Sequence, residues 1–329
     1  MKNPNDGVVA RTMDLRTWGM LIFLAAIWGG AFFFGQIAVR ELPPTTVALG
    51  RVGIAAFALL VFVHLRGGRM PGGVKLWLMF VVMGLVNNVI PFSLILYGQT
   101  QITSGLASIL NAMTPIFTVL FAHFLTVDEK LSAGRLVGVA CGVIGVALMM
   151  GPDVLAGARD NVIGQAVVLM AACSYAMAAI FGRKLRLIPP SVAASGQLTA
   201  STLLLLPIVL IFDRPWTLAM PGLETIGAVI GIALICTSLA YVIYFRILAV
   251  AGATNVLLVT LLVPVSAILL GTVFLDEVLR ANHMLGMAVV GLGLMTIDGR
   301  LVKVLRRRRS RSPLPEERVK RQAQKNPAE

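Results

Sequence analysis

One charged side chain lies well inside an apolar segment of this chain. Arg51 is seven positions after Pro44, where that segment begins, so in a membrane-spanning helix its guanidinium would lie roughly 10 Å deep. A guanidinium at the centre of a bilayer costs at least ~2.5 kcal/mol unless it is paired or reaches water. No acidic residue lies near the middle of an apolar segment to pair with it. Three roles therefore stay open: binding the carboxylate of a ligand, bonding carbonyl groups at a helix end, or extending toward the membrane surface.

Uncharged polar and aromatic side chains occupy the centres of other apolar segments. Together with Arg51, five of them are predicted to line a binding site for a small molecule: Trp28, Asn87, Asn111, Tyr175 and Tyr241. Aromatic rings in the middle of a span suit the wall of a cavity, because rings that mark the membrane surface lie near helix ends. Packing is the alternative role for the aromatic residues, and hydrogen bonding between helices is the alternative for the polar ones.

The chain lacks the common sequence patterns of enzymes. It contains no HExxH pair, no GxSxG turn and no GxxxxGKS or GxxxxGKT loop, which are the patterns of zinc proteases, serine hydrolases and phosphate-binding loops. Its three cysteines, Cys141, Cys173 and Cys236, all fall in apolar segments, where a small buried side chain is a more common role than metal binding. We therefore predict no enzymatic activity, no cofactor and no metal site.

Ten apolar segments are long enough to cross a bilayer as helices. Of the 329 residues, 57% are apolar and only 13% are charged, and the mean hydropathy is +0.87, which is more apolar than a soluble core requires. The segments lie at about 17–39, 44–65, 75–97, 103–124, 132–150, 162–182, 190–212, 222–244, 252–275 and 282–299. Each can span roughly 30 Å of hydrocarbon. The sequence predicts an all-α integral membrane protein with ten transmembrane helices.

The two halves of the chain repeat each other. Four residues of the first half recur in order in the second: Pro115, Glu129, Gly138 and Gly145 as Pro264, Glu277, Gly286 and Gly293. By the same offset, Trp28 corresponds to Tyr175 and Arg51 to Gln197. Because five spans per half is an odd number, the second half must enter the membrane upside down. We predict a short N-terminal segment, two inverted-topology five-helix repeats and a basic tail, at 1–16, 17–150, 162–300 and 301–329.

Positive charge is concentrated on one side of the predicted helices. The loops of the other side hold only Arg40, Arg159, Arg214 and Arg280. Since cytoplasmic loops accumulate Lys and Arg, both termini are predicted to be cytoplasmic. The tail supplies most of the net charge of +13. Its composition suggests disorder and attraction to anionic lipid of the bilayer, and we do not expect it to bind nucleic acid.

At these residues the chain resembles the drug/metabolite transporter superfamily, in its ten-helix EamA-type branch with two tandem EamA domains. The matching elements are Trp28-Gly29, Pro43-Pro44 followed by Arg51, and the signatures Pro115, Glu129, Gly138 and Pro264, Glu277, Gly286. The resemblance covers about residues 17–300. It implies a carrier of small metabolites, often an exporter, whose central cavity is lined mainly by spans one to four and six to nine. Ten-helix relatives can act as single chains, so a monomer is expected and a homodimer is the alternative.

The acidic residues lie away from the middle of the predicted spans. A carrier that exchanges protons for cationic drugs usually needs a buried carboxylate, and the first span offers only Trp28, Gln36 and glycines. Glu129 and Glu277 end spans four and nine, where helix capping or loop charge is expected. The leading hypothesis is a secondary transporter of the cytoplasmic (inner) membrane. It would export a small metabolite, such as an amino acid or a related compound, by alternating access and without ATP hydrolysis, with multidrug efflux or an uptake permease as alternatives.

Overall fold

The computed structural model describes residues 14–126, 133–251 and 259–297. Most of the predicted N-terminal segment, the predicted tail 301–329 and Glu129 lie outside these ranges. Within them, regular secondary structure is helical throughout. The first repeat contains α1 (Leu15–Ala38), α2 (Pro44–Leu65), α3 (Val74–Gln99), α4 (Ser104–Leu125) and α5 (Ala133–Leu155). The second contains α6 (Arg159–Gly182), α7 (Pro190–Asp213), α8 (Leu223–Leu248), α9 (Val259–Phe274) and α10 (Ala281–Ile297).

These ten helices correspond to the ten predicted spans. In the described part of the chain, eight helices are long and apolar enough to cross a membrane, and two shorter apolar helices lie at Leu262–Phe274 and Ala281–Thr296. The prediction of an all-α, ten-helix membrane protein is confirmed.

Local sequence fixes several helix starts. Pro44 and Pro190 occupy equivalent first turns in α2 and α7, where the missing N–H of proline removes no helical hydrogen bond. Asp14 caps α1 by accepting a 3.0 Å hydrogen bond from the Thr17 backbone N–H. Hydrogen bonding to Thr17 also lowers the pKa of the Asp14 carboxyl, since such bonds favour its charged form.

Two wide helical turns lie at equivalent places in the repeats. Leu85–Val89 in α3 and Leu234–Leu239 in α8 are π-helical, with hydrogen bonds that reach back five residues. In α8 the hydroxyl groups of Thr237 and Ser238 donate to the carbonyl groups of Ile232 and Ala233, at 2.8 and 3.1 Å. The second wide turn is thus stabilised by side chains of its own helix.

The first wide turn depends on the other repeat. Five residues before Pro91 is Val86, and proline has no N–H to donate to its carbonyl group. The hydroxyl group of Ser174 in α6 donates to that carbonyl instead, at 2.7 Å. The hydroxyl group of Ser201 in α7 donates to the Gln197 carbonyl of its own helix at 2.6 Å, lies 3.1 Å from the Gly84 carbonyl oxygen, and accepts a 2.9 Å hydrogen bond from Asn88 of α3. These hydrogen bonds hold α3 against the second repeat.

α4 is divided into two shorter helices. The first ends at Asn111 and the second begins at Thr114, one residue before Pro115. Proline disfavours a helical conformation at the preceding turn and donates no hydrogen bond. The Thr114 hydroxyl group donates to the Asn111 carbonyl at 2.8 Å, which satisfies one carbonyl group at the break. Pro115 therefore accounts for the break in α4.

Most helix packing joins one repeat to the other. α1 packs on α9 while α6 packs on α4, α2 packs on α7, and α5 packs on α10. At the α5–α10 contact, an added Cβ on Gly286 would lie 2.6 Å from the Gly145 carbonyl oxygen, and one on Gly293 would lie 2.7 Å from that of Gly138. Only glycine allows this approach. The glycine face of α5 is therefore directed at the opposite repeat.

Candidate binding site

Arg51 lies where the two repeats meet. Its Nε atom donates a 3.0 Å hydrogen bond to the Thr237 hydroxyl oxygen in the wide turn of α8. Its guanidinium carbon lies 3.6 Å from the centre of the Phe92 ring in α3, a cation–π distance. Because Thr237 donates its own proton to Ile232, its oxygen is free to accept from Arg51. Thr237 and Phe92 hold the guanidinium toward the middle of the bundle rather than toward the membrane surface.

The two terminal nitrogens of Arg51 remain available. Within residues 14–126, 133–251 and 259–297, no acceptor bonds either of them, and no backbone carbonyl group bonds Arg51. Its side chain is partly accessible. The carbonyl-bonding role considered from the sequence is therefore not what this structure contains. A guanidinium with two unpaired nitrogens can bind both oxygens of a carboxylate.

An amide–phenol cluster lies beside Arg51. The side-chain nitrogen of Asn87 donates to Gln197 Oε1 and to the Tyr241 hydroxyl oxygen, and Gln197 Nε2 donates to the same hydroxyl, all at 3.3 Å. Tyr241 also lies within electrostatic range of Arg51. Asn88 points elsewhere, donating to the Ser201 hydroxyl at 2.9 Å in a fully buried contact. Of the two adjacent asparagines, Asn87 thus faces the site and Asn88 joins helices.

Aromatic rings enclose the same region. Trp28 and Tyr244 have ring centres 5.6 Å apart, and Phe245 contacts both Tyr244 and Tyr241, at 5.3 and 5.9 Å. Tyr175 lies 6.4 Å from Phe92 on the Arg51 side. Such centre-to-centre distances are typical of packed aromatic pairs. Trp28 and Tyr175, which are equivalent in the two repeats, therefore belong to two aromatic groups: Trp28 packs with Tyr244, and Tyr175 packs with Phe92.

The structure brings together five of the six predicted site residues. Ring contacts and a hydrogen bond link Trp28, Tyr241 and Asn87 through Tyr244 and Phe245. Arg51 and Tyr175 both contact Phe92, and Arg51 lies within electrostatic range of Tyr175 and Tyr241, which brings the two groups together. Asn111 is separate: it ends the first half of α4, and its Oδ1 atom is buried without a hydrogen-bond partner in the described part of the chain. No hydrogen bond or ring contact connects Asn111 to the other five.

Five residues of the site were not among those predicted: Phe92, Gln197, Thr237, Tyr244 and Phe245. Gln197 could have been found, because it occupies the position of Arg51 in the second repeat. Tyr244 likewise matches Tyr97 of the first repeat. Phe92 gave no signal, since phenylalanine is ordinary in a membrane helix and its place under Arg51 depends on how α2 and α3 pack.

A cavity lies at one end of the bundle. We call this end the Glu277 face, and it consists of the loops 39–43, 100–103, 214–222 and 275–280. The cavity has a volume of about 360 Å³, and its polar lining includes Gln36, Arg40, Gln99, Glu277, Arg280 and His283. Glu277 accepts hydrogen bonds from the backbone N–H groups of Ser104 and Gly105, at 2.7 and 3.0 Å, and from the Ser104 hydroxyl at 3.0 Å. It therefore caps α4 from the other repeat, as one of the two roles expected from its position.

Two further acids join the repeats at the Glu277 face. Asp213 at the end of α7 accepts from the hydroxyl groups of Thr45 and Thr46 at the start of α2, at 2.5 and 2.7 Å. Glu41 accepts a 2.7 Å hydrogen bond from the Gly222 backbone N–H. All three carboxylates thus connect a helix end or loop of one repeat to the other.

Comparison with known proteins decides the family. The model of the EamA-like transporter family matches residues 16–151 and 162–297. The chain belongs to this family. Two matched segments of equal length agree with the internal repeat and with the reciprocal packing of equivalent helices.

Relatives span most of the EamA chain. The transporter YoaV of Bacillus subtilis is 23% identical over 83% of this chain and 94% of its own length. The inner membrane transporter YedA of Escherichia coli strain K12 is 28% identical over 84% and 88%. Both are described as uncharacterized. One solved crystal structure is 18% identical with a TM-score of 0.61, covering 84% of this chain and 95% of that one, which shows the fold alone. The protein is a multi-pass membrane transporter and not an enzyme.

Proposed function

We propose that this EamA protein is a secondary transporter that exports a small metabolite, such as an amino acid or a related compound, across the cytoplasmic membrane. The observation that carries the proposal is the site between the repeats, where Arg51 contacts Thr237 and Asn87 contacts Gln197 and Tyr241. Every one of these contacts crosses from one repeat to the other. A compound bound there would be held by both halves.

Inverted repeats support transport by alternating access. Two related halves of opposite topology can adopt two arrangements of similar energy, each open to one side of the membrane. The Lys and Arg distribution favours an outward-directed Glu277 face and cytoplasmic termini. In that orientation, the hydrogen bonds of Glu41, Asp213 and Glu277 join the repeats on the outer side. Opening to the outside would require those contacts to separate.

The proposal also includes the oligomeric state of the protein and the role of its basic tail. We propose a monomer, because the glycine face of α5 packs against α10 of the same chain, with a homodimer as the alternative. We retain the basic tail as a segment attracted to anionic lipid, with no role in binding nucleic acid. Multidrug efflux and uptake stay as alternative functions of the same site. Asn111 stays a predicted site residue on the basis of its unpaired buried oxygen.

Metabolite profiling of medium and cytosol tests export. Cells would express the intact chain, Trp28→Ala, Trp18→Ala or an empty vector, with membrane levels matched. Trp18 is the control because it lies on the same helix and is 40% exposed. Export predicts a compound that accumulates outside with the intact chain and with Trp18→Ala, and less with Trp28→Ala. Depletion of a compound from the medium would indicate uptake, and equal profiles in all four strains would contradict metabolite export.

A further inference from the structure

The free hydrogen-bonding groups around Arg51 are mostly donors. Both terminal nitrogens of Arg51 and the indole nitrogen of Trp28 donate only, and in the described part of the chain none of the three has a hydrogen-bond partner. The hydroxyl groups of Tyr175 and Tyr244 have no hydrogen-bond partner there either. None of these atoms is among the buried atoms cut off from accessible space. A ligand that satisfies them must present acceptors.

Tyr241 adds another donor to this set. Its oxygen already accepts hydrogen bonds from Asn87 and Gln197. A phenol oxygen that accepts two hydrogen bonds still has its own proton to donate. The orientation of the two amide groups therefore leaves Tyr241 as a donor, on the side where Arg51 lies within electrostatic range.

The distribution of charge also favours a ligand with negatively charged acceptors. Among the described residues, the acidic side chains Glu41, Asp213 and Glu277 engage helix ends and loops at the Glu277 face. None pairs with Arg51. Neutral groups, Tyr175, Cys236 and Tyr241, are its electrostatic neighbours. The middle of the bundle thus carries one uncompensated positive charge, which is costly unless an anion or water reaches it.

We propose that the transported compound carries one carboxylate, which binds the terminal nitrogens of Arg51, with an apolar or aromatic body against Trp28 and Tyr244. This inference rests on the proposed function, since it names the chemical class carried by the same site. A carboxylate matches the planar fork of a guanidinium with two parallel hydrogen bonds. One guanidinium with neutral donors neutralises one negative charge, so a phosphate dianion fits less well. A cationic compound would meet Arg51 without a counter-charge.

Binding of a charge series to the purified full-length protein in lipid nanodiscs tests this class. The probes share one body: 3-phenylpropanoate, 3-phenylpropanol, 3-phenylpropylamine and 3-phenylpropyl phosphate, measured by calorimetry. Charge-assisted hydrogen bonds stabilise by about 1.5–3 kcal/mol. The carboxylate should therefore bind at least about tenfold more tightly than the alcohol or the amine. The phosphate should bind more weakly than the carboxylate.

Substitutions of Arg51 test whether this residue causes the preference for the carboxylate. Arg51→Gln should reduce the carboxylate preference to about twofold or less, whereas Arg51→Lys should retain part of it. Arg66→Gln is the matched control, because Arg66 is an exposed arginine that directly follows the same helix, with its guanidinium carbon 5.0 Å from the centre of the Phe62 ring. It should leave the series unchanged.

The charge series on the unmodified protein remains decisive even where a variant folds poorly. Equal or tighter binding of the amine, tighter binding of the phosphate, or binding of none of the probes at millimolar concentration would overturn the inference. A carboxylate preference that persists in folded Arg51→Gln would also overturn it. Because these are binding measurements, they can succeed where metabolite profiling finds no export, and the reverse, so the two proposals fail separately.

Discussion

The middle of the bundle and the Glu277 face both carry charged groups, but only the face satisfies them. Glu277 accepts three hydrogen bonds, Asp213 two and Glu41 one, each from the opposite repeat. Arg51 makes one hydrogen bond and one ring contact. A charged side chain whose hydrogen-bonding atoms are all bonded by the protein serves to join the two repeats. A charged side chain in the middle of the bundle that keeps unbonded donor atoms, as Arg51 does, can bind a ligand through them.

The largest expected effect is at Arg51. Arg51→Gln should lower the transport kcat/KM for a carboxylate substrate by at least about tenfold, because the charge-assisted hydrogen bonds to the substrate are lost. The folded fraction should change little, since Thr237 is the only hydrogen-bond partner that Arg51 has among the described residues. Transport assays in proteoliposomes, with size-exclusion profiles of each variant, measure both quantities. Arg66→Gln, with unchanged transport, is the control. Unimpaired transport by Arg51→Gln would show that the unbonded nitrogens of Arg51 do not bind the substrate.

The next effect is at Glu277. Glu277→Ala should leave the N–H groups of Ser104 and Gly105 without their acceptor, which costs about 1–3 kcal/mol in the closed arrangement. The equilibrium should shift toward an open Glu277 face. Cys236, buried beside Arg51, reports this through labelling by a membrane-impermeant maleimide, in a background with Cys141→Ser and Cys173→Ser. Labelling should be at least about fivefold faster.

Glu224→Ala is the control for Glu277→Ala. Glu224 is exposed in the first turn of α8 at the same face, and in the described structure it makes no hydrogen bond to the first repeat. Its removal should leave Cys236 labelling unchanged. If both variants accelerate labelling equally, surface charge rather than the α4 cap would be responsible.

A smaller effect is expected at Asp213. Asp213→Asn keeps one acceptor oxygen for Thr45 and Thr46 but removes the negative charge, so about 1 kcal/mol should be lost. Cys236 labelling should accelerate about two- to fivefold. The double variant Thr45→Val with Thr46→Val removes the partners instead and should give a similar change. A larger effect than that of Glu277→Ala would reverse the order of the two contacts.

Glu41→Gln should have the smallest effect. Its partner is a single backbone N–H, and the side chain is exposed to solvent, where charge contributes little. The amide oxygen of glutamine can accept the same hydrogen bond. We expect a change within about 0.5 kcal/mol in thermal unfolding and no measurable change in labelling. A clear loss of stability would show that the charge of Glu41, rather than the hydrogen bond, joins the loops.

Much of the fold follows from the sequence because its determinants are local. Apolar length predicts each of the ten helices, and Pro115 predicts the break in α4. The wide turns of α3 and α8 were not predicted. They depend on which hydroxyl groups donate to the carbonyl groups that have no backbone N–H partner. Ser174 can donate to the Val86 carbonyl only after the two repeats have packed together.

The site was predictable in part for the same reason. Arg51 and Asn87 stand out as polar residues in apolar surroundings, and the repeat itself indicated Gln197. The place of Phe92 under the guanidinium is set by the packing of α2 on α3, which residue types alone do not contain. Asn111 had the same polar signal as Asn87, yet the break in α4 places it outside the contacts that join the other five residues.

The two wide turns give the transporter a built-in asymmetry. The turn in α8 is held by hydroxyl groups of its own helix, so it can keep its shape while the repeats move. The turn in α3 has its Val86 carbonyl satisfied only through Ser174 of the other repeat, and separation of α3 from α6 would expose that carbonyl inside the membrane. The shape of one wide turn is thus independent of the contact between the repeats, whereas the shape of the other depends on it.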